Sequence, residues 1–427
     1  MRVPSFRDIA THFFQLTHAR IEAHAQLSLG AGKVRLVVGD ASDDTDQSIE
    51  TPLSAASSAA TVVEEVAEKW RENDDKSEPV VSDSDQEEWT DTLAVALFVA
   101  VTLGLMVLLP LASAFALLLL PSKITLPFAT AYVAWIVWDW RSCERGGWGS
   151  ICGLGRILMD RPVWNHYRKY FRASLIKTAE LPSDRNYILA GHPHGLYCLG
   201  LFSNILSNQS HFESLFPGIK VTSATLPVNF WLPGWREFML SLGFVSCERH
   251  ALNAVVEHPS STRNHNRTSK FGSETRGGRA LFIAVGGAEE FLLMEPGTMD
   301  LVILKRKGFV KMAMMTGSSL VPVITFGEND YVDRIDTPFT RALAEMTQWV
   351  AHFAFPVFEG RWGTAFPRRA RLVTVVGEPL HTELIHHPSE TEVNLMHARY
   401  LQCLQHLYER HKDDYFDHRK REMSFVK

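Results

Sequence analysis

Two histidines two positions apart give the sharpest chemical signal in this 427-residue sequence. His192 and His194 flank Pro193 in the segment 191–195 (GHPHG), which directly follows the apolar run 187–190 (YILA). Proline fixes its own backbone angle and restricts the residue before it, so the pattern predicts two imidazoles on a stiff turn. An imidazole with an ordinary pKa of about 6.5 is largely neutral at pH 7 and can accept a hydroxyl proton. The segment therefore predicts a general base.

Two other interpretations of this histidine pair stay open at this point. His192 and His194 would point the same way from an extended segment, as metal ligands do, but the sequence offers no third and fourth ligand at matching spacing. The two imidazoles would otherwise be structural residues with satisfied hydrogen bonds in a turn. We expect no metal.

A second group of candidate residues combines a glycine turn with clustered cations. The apolar run ending at Val285 leads into the segment 286–290 (GGAEE), and the basic segment 305–307 (KRK) follows. Backbone amides of a glycine turn can donate to an oxyanion or a phosphate, and the cations suit the phosphates of coenzyme A, although such clusters often mark a solvated face. The substrate-binding candidates here and in the histidine turn are Pro193, Gly195, Gly286, Gly287, Arg306, Lys307, Gly308 and Phe309.

A third candidate pair follows another apolar run. Glu328 and Asn329 come directly after the run 320–326 (LVPVITF) and the glycine at 327. Polar side chains at the end of a strand suit the orientation of a substrate or of a catalytic histidine. They equally suit the cap of the next helix.

The elements that position these residues are short apolar runs alternating with amphipathic segments. The runs predict strands at 186–190, 220–224, 243–247, 280–285, 320–326 and 372–376, and the intervening segments predict helices at 201–208, 235–242 and 307–316. Such alternation is typical of an α/β domain with a mostly parallel sheet, whose strands deliver loops to a ligand crevice at their carboxyl ends. A polar loop is predicted at 258–279. Near the end of the chain, apolar side chains at helical spacing predict a packing helix without chemistry: Val393, Met396, Tyr400, Leu404 and Leu407.

The most apolar part of the chain precedes this domain. Between Asp91 and Asp139 the only charged residue is Lys123, and the stretch is long enough for two crossings of a bilayer. We predict a transmembrane helical hairpin over 92–140 that bends between Pro110 and Pro121. The basic residues that follow place both ends in the cytosol, as the positive-inside tendency favours. A buried core hairpin of a soluble protein is the alternative.

The remaining chain divides into two further regions. The segment 40–91 holds 17 acidic and 3 basic residues, with few aromatics, so we predict that residues 1–91 form a disordered acidic extension. Residues 141–427 are expected to form the cytosol-facing domain. The five cysteines show no CxxC spacing, which fits a reducing compartment. We expect no nucleic-acid partner.

The chain resembles the diacylglycerol O-acyltransferase type 2 family, which includes monoacylglycerol and wax-alcohol acyltransferases, over roughly residues 92–420. The resemblance rests on blocks in the same order: 138–140 (WDW), 186–195 (NYILAGHPHG), 223–225 (SAT), 235–238 (WREF), 285–288 (VGGA), 306–311 (RKGFVK), 320–322 (LVP), 326–329 (FGEN) and 376–379 (VGEP). It implies a glycerolipid-acyltransferase-like α/β domain behind a membrane hairpin. It also implies His194 as the catalytic base, His192 as its partner and Glu290 as the acid after the glycine turn.

What the resemblance implies about function is the transfer of an acyl group from acyl-CoA to diacylglycerol. The product would be triacylglycerol, made at the endoplasmic reticulum membrane with both chain termini in the cytosol, and often delivered to lipid droplets. Acyl-CoA would be a co-substrate, and no cofactor is expected. The alternative acceptor is monoacylglycerol or a long-chain alcohol. The alternative class of protein is a non-catalytic lipid-droplet scaffold or a metal-dependent hydrolase. Self-association into a homo-oligomer is left open.

One departure from the wider glycerolipid acyltransferases concerns the histidine's carboxylate. Those enzymes place an aspartate five residues after the catalytic histidine, whereas this chain has Tyr197 and Leu199 at the corresponding positions. A carboxylate that orients the imidazole must therefore come from elsewhere in the fold. Glu290 or Glu328 is our hypothesis.

Overall fold

The computed structural model describes residues 88–144, 154–207, 210–256, 278–342, 346 and 357–426, and three strands nearer the amino terminus. The chain divides into two compact units, residues 1–75 and 76–427. In the first unit, the strands Ala25–Gly30 (β1), Lys33–Val38 (β2) and Ile49–Thr51 (β3) form an antiparallel sheet. Most of the predicted acidic extension lies outside the described residues.

The second unit opens with one long apolar helix. It runs from Trp89 to Leu119 as an α-helix Trp89–Leu103 (α1), a π-helical turn Gly104–Leu108 and an α-helix Leu109–Leu119 (α2). Within the part of the chain that the structure describes, it is the helix long and apolar enough to cross a membrane. Extended backbone at the two following positions separates it from the helix Ser122–Trp138 (α3), and a 3-10 helix Trp140–Glu144 comes next. The crossing of a bilayer as a hairpin remains a prediction.

A seven-stranded, mostly parallel sheet forms the centre of the second unit. Its order is β4-β13-β10-β5-β8-β6-β7, and all neighbouring pairs are parallel except β10 with β13. All six predicted strands are found, with bounds shifted by up to two residues. The strands of this unit are Ser174–Lys177 (β4), Tyr187–His192 (β5), Ile219–Thr225 (β6), Val245–Ser246 (β7), Gly278–Ala284 (β8), Asp300–Val302 (β9), Ser319–Phe326 (β10), Asp333–Arg334 (β11), Phe358–Glu359 (β12), Val373–Val376 (β13) and Ser424–Val426 (β14).

Helices cover both faces of this sheet, as an α/β fold requires. Along β5, Tyr187 and Leu189 contribute to one buried apolar cluster and Ile188 and Ala190 to the other, because successive side chains of a strand point to opposite faces. Besides a π-helix Leu201–Leu206 and a 3-10 helix Pro227–Phe230, the helices are Leu154–Met159 (α4), Val163–Tyr170 (α5), Phe212–Leu215 (α6), Trp235–Ser241 (α7), Arg249–Val256 (α8), Ala288–Leu292 (α9), Gly308–Thr316 (α10) and Glu390–Tyr415 (α11).

The long helix α11 confirms the predicted packing helix. Ser389 caps its first turn: the Ser389 hydroxyl accepts a hydrogen bond from the amide of Glu392, whose carboxylate accepts one from the amide of Ser389. Such reciprocal caps stabilise a helix by about 1 kcal/mol. The buried stripe of α11, which includes Tyr400 and Leu404, packs against the sheet beside α10. Of the predicted polar loop, residues 258–277 lie outside the described residues and the last two begin β8.

Candidate active site

Three loops that carry candidate residues meet at one edge of the sheet. The segment 192–195 ends β5, the glycine pair Gly286 and Gly287 follows β8, and Glu328 follows β10. These three strands are parallel neighbours, with β5 in the middle. Their carboxyl ends therefore form the crevice where open α/β sheets bind ligands. The structure brings the three sequence motifs together at this edge.

His192 is fixed deep inside the protein. Only 1% of its surface is exposed, and its Nε2 lies 2.9 Å from the hydroxyl oxygen of Tyr400 on α11. Burial lowers the pKa of His192 to about 3, so the imidazole is neutral at physiological pH. The His192–Pro193 peptide bond is cis. Tyr400 was assigned only to packing from the sequence, and the structure shows that it also holds the first histidine of the motif.

Replacement of Tyr400 by phenylalanine is expected to destabilise the fold around His192. The ring would still fill the core, but Nε2 of His192 would lose its partner in a buried site, which costs about 1–3 kcal/mol of unfolding free energy. Thermal unfolding of the detergent-solubilised protein measures this loss. Tyr408→Phe is the matched control, because Tyr408 lies on the same helix as Tyr400 but its hydroxyl bonds the half-exposed carboxylate of Glu422, which lies beyond the end of that helix. Equal melting temperatures for the two variants would contradict the prediction.

His194 is presented differently, half-buried at the mouth of the same turn. Its Nδ1 lies 2.7 Å from the carbonyl oxygen of Gly195. A carbonyl oxygen only accepts hydrogen bonds, so Nδ1 carries the proton and the lone pair of the neutral ring is on Nε2. Burial lowers the pKa of His194 below its ordinary value. The tautomer that a general base requires is therefore set by the backbone.

The lowered pKa of His194 predicts the acid limit of any reaction in which this imidazole acts as the base. An imidazole must be neutral to accept a proton, and the pKa of His194 lies below the ordinary value of 6.5. We therefore expect kcat/KM to decline in acid with a midpoint below pH 6.5. A profile of kcat/KM against pH measures the midpoint. A midpoint at or above 6.5 would show that burial does not control this imidazole.

Glu290 on α9 binds the backbone of the histidine turn. One carboxylate oxygen accepts a hydrogen bond from the amide of His194 (2.7 Å), and the other accepts one from the amide of Val302 (3.0 Å). Burial raises the pKa of Glu290 to about 8, against the opposing effect of these two donors. A side chain at Gly286 would overlap the carboxyl group, so the glycine makes room for it.

Glu328 plays a corresponding part on the other side of the turn. Its two carboxylate oxygens each accept a 2.7 Å hydrogen bond, from the amides of Leu199 and Gly200 at the start of the π-helix Leu201–Leu206. Burial raises the pKa of Glu328 to about 8. The neighbouring Tyr331 hydroxyl accepts hydrogen bonds from the amides of Leu196 and Tyr197, both at 2.8 Å. Sequence analysis singled out Glu328, but nothing in the local pattern pointed to Tyr331.

The hydrogen bonds of Glu290 and Glu328 bear on the hypothesis that one of these carboxylates orients an imidazole. The described hydrogen bonds of Glu290 go to backbone amides, and those of Glu328 go to two backbone amides and to the Tyr331 hydroxyl at 3.5 Å. The described partners of the two rings are a tyrosine hydroxyl and a carbonyl oxygen. The carboxylates therefore shape the turn that carries His194. The side-chain amide of Asn329 donates to the carbonyl of Thr298 at 2.9 Å, which fixes the strand end.

The basic segment separates into a surface part and a core part. Arg306 forms a 3.0 Å ion pair with Glu289, and both side chains are nearly half exposed. Lys307 and Gly308 begin α10 at the surface, whereas Phe309 is buried and packs edge-to-face on Tyr400, with the two ring centroids 5.0 Å apart. Phe309 therefore supports the partner of His192, and the cations remain candidates for the phosphates of acyl-CoA.

The structure also shows what a glycine-turn amide binds and where side chains that could share a metal ion lie. The amide of Gly287 donates to the carbonyl of Ala284 at 3.2 Å, so this amide serves the turn itself. In the ranges that the structure describes, the group of acidic and histidine side chains close enough to share an ion is Glu88, Asp91 and His166, outside the crevice.

Comparison with known proteins identifies the family. The model of the diacylglycerol acyltransferase family matches residues 117–425, which include the whole crevice. The chain belongs to this family. The acyltransferase is 36% identical over 298 residues to 2-acylglycerol O-acyltransferase 3 of Homo sapiens, covering 67% of this chain and 81% of the relative. It is 33% identical over 333 residues to diacylglycerol O-acyltransferase 2B of Umbelopsis ramanniana, covering 75% and 88% respectively. No solved structure matches the acyltransferase.

Proposed function

We propose that this acyltransferase esterifies diacylglycerol with the acyl group of acyl-CoA, and that His194 is the general base. The observation that carries the proposal is the hydrogen bond from Nδ1 of His194 to the carbonyl of Gly195, which leaves the lone pair on Nε2. The ring stands at the carboxyl ends of three parallel strands. Membership of the family supports a reaction on acyl-glycerols, and the hydrogen bond of His194 supports a neutral imidazole as the base.

The proposed reaction is a direct transfer. Nε2 of His194 takes the proton of the free lipid hydroxyl while that oxygen attacks the carbonyl carbon of the thioester. The oxyanion formed is held by backbone amides of the crevice, and it collapses with cleavage of the carbon–sulfur bond. The imidazolium then returns the proton to the departing thiolate of coenzyme A. Glu290 and His192 act as positioning residues, since their described contacts hold the turn.

A covalent acyl-enzyme on Cys198 is the rival mechanism. Burial and the nearby carboxylates of Glu328 and Glu290 raise the pKa of the Cys198 thiol well above its ordinary value, which disfavours the nucleophilic thiolate. We therefore expect Cys198→Ala to retain acyl transfer within about twofold, because the base and not the thiol is needed. Loss of activity in a Cys198→Ala enzyme that still folds would favour the covalent route. The specific activity of microsomal enzyme measures this.

The site is proposed to face the membrane that holds its acceptor. Diacylglycerol is dissolved in the bilayer, whereas the acyl-CoA headgroup is anionic and cytosolic. The long apolar helix Trp89–Leu119 and the helix α3 would anchor the domain as a two-crossing hairpin, with both chain termini in the cytosol. The endoplasmic reticulum membrane, with access to lipid droplets, is the proposed location.

The acceptor is decided by a parallel assay. Microsomes containing the enzyme, and matched microsomes without it, receive labelled acyl-CoA with diacylglycerol, monoacylglycerol or a long-chain alcohol. Triacylglycerol as the main product supports the proposal. Preferential acylation of monoacylglycerol, the activity named for the human relatives, would replace diacylglycerol as the acceptor. No product from any acceptor would favour the scaffold hypothesis.

A further inference from the structure

A short apolar loop follows the carboxyl end of β6. We call residues 226–231 the lipid loop; they contain the 3-10 helix Pro227–Phe230. Leu226, Val228 and Trp231 are 41%, 54% and 55% exposed, although all three are large and apolar. The loop is ordered by a 3.0 Å bond from the Trp231 amide to the Val228 carbonyl and by Phe230, which is buried. The fold therefore presents these side chains to the surface in a fixed geometry.

The lipid loop is continuous with the apolar helices. The ring of Trp231 lies 4.7 Å from the ring of Trp140, which follows α3 directly. Gly234, three residues after Trp231, lies against Leu109 of the long apolar helix, so closely that a side chain at this position would overlap it. Leu109 belongs to the part of that helix whose side chains are exposed. The loop thus lies beside both apolar segments.

Charge is absent from the same surface segment. The ten residues 226–235 (LPVNFWLPGW) contain neither an acidic nor a basic side chain. Next to them, Arg236 is fully buried and pairs with Asp139 at 2.8 Å. An uncharged, ordered, apolar surface with an exposed tryptophan matches the interfacial zone of a bilayer, where tryptophan is enriched. A water-facing loop has no need of such a composition.

The loop also lies on the edge of the sheet that carries the crevice. β6 pairs with β8, and β8 pairs with β5, all in parallel, so the loop leaves the sheet two strands away from His192. At a strand spacing of about 4.8 Å this separation is roughly 10 Å along the edge. The surface therefore leads from the apolar helices toward the catalytic turn.

We infer that the lipid loop is a second membrane contact, inserted in the interface beside the apolar helices, and that the lipid acceptor reaches the crevice along it. The part on acceptor entry rests on the proposed function. The occupant is a phospholipid bilayer carrying a glycerolipid alcohol. The contact itself does not depend on which alcohol is acylated.

The first test asks whether the loop touches lipid. A photoreactive benzoylphenylalanine is placed at Val228 in the full chain in microsomes, and at Leu384 as the control. Leu384 is 56% exposed but lies against Gly317, at the amino end of β10 and so at the opposite edge of the sheet. Phospholipid adducts at 228 and not at 384 are expected. Equal labelling at the two positions would overturn the membrane contact.

The second test asks whether the contact serves the acceptor. The variant Val228→Asn/Trp231→Ser is compared with Leu384→Ser in phosphatidylcholine vesicles carrying diolein. Loss of two partly inserted side chains is expected to raise the apparent KM for diolein about tenfold, with little change for acyl-CoA. An unchanged KM for diolein beside a positive cross-link would overturn the entry route. A cross-link in an enzyme that acylates none of the acceptors would keep the membrane contact and overturn the proposed function.

Discussion

Replacement of His194 by alanine is expected to lower acyl transfer by about 10²–10⁴-fold, which is the usual contribution of a general base. The substitution removes the lone pair on Nε2 that the proposed mechanism uses. It leaves the backbone amide that donates to Glu290, so the turn keeps its main attachment. Transfer of labelled acyl groups to diacylglycerol by microsomes measures the loss.

The control for this prediction is a histidine outside the crevice. His387 is exposed, and His387→Ala should retain full activity. Both variants should show the melting temperature of the wild-type enzyme. A His194→Ala enzyme with undiminished turnover would refute the proposed mechanism, and a large drop in its melting temperature would assign His194 a structural role instead.

The second large effect is expected from Gly286→Ala. The added methyl group would overlap the carboxyl group of Glu290, which is buried between the glycine turn and the histidine turn. Displacement of that carboxyl group leaves the amides of His194 and Val302 without their acceptor. Each unpaired buried amide costs about 1–3 kcal/mol. A shift of the base by about 1 Å costs roughly 10²-fold in rate, so we expect a loss of both stability and activity.

Gly104→Ala is the matched control for this substitution. Gly104 has no atom within 4 Å of the added methyl group, so the same chemical change should be tolerated. The melting temperature and the acyl-transfer rate of the two variants are compared in the same membranes. Wild-type activity in Gly286→Ala would mean that the histidine turn does not depend on Glu290.

This fold compensates for the missing histidine–aspartate spacing with four side chains that hold the histidine turn: Glu290, Glu328, Tyr331 and Tyr400. The first three accept hydrogen bonds from five backbone amides of the segment 194–200. Tyr400 holds His192 from the opposite side. The histidine turn is therefore fixed through its backbone and through its first histidine, while the second histidine takes its tautomer from the adjacent carbonyl. This arrangement suits a base that must stay neutral and still move a proton.

The sequence by itself determined the strands, their contents and the positions of the candidate site residues at the strand ends. Runs such as 187–190 and 320–326 are predominantly apolar because both faces of the sheet are covered, and glycines and polar residues follow where each strand ends. The motifs at 192–195, 286–290 and 328–329 each follow a predicted strand, and the carboxyl ends of parallel strands lie on one edge of a sheet. Local composition was sufficient for these conclusions.

Only the tertiary structure decided which side chains meet. Tyr400 forms a hydrogen bond with His192, which lies 208 positions away in the sequence, and Tyr331 forms one with Leu196, 135 positions away. Both contacts depend on the order of the strands and on the packing of α11 against the sheet. Sequence spacing records neither. The same is true of Glu290 and Glu328, whose carboxylates accept hydrogen bonds from the backbone amides of His194 and Gly200. Buried donors must find acceptors, and which acceptor is nearest is known only once the chain has folded.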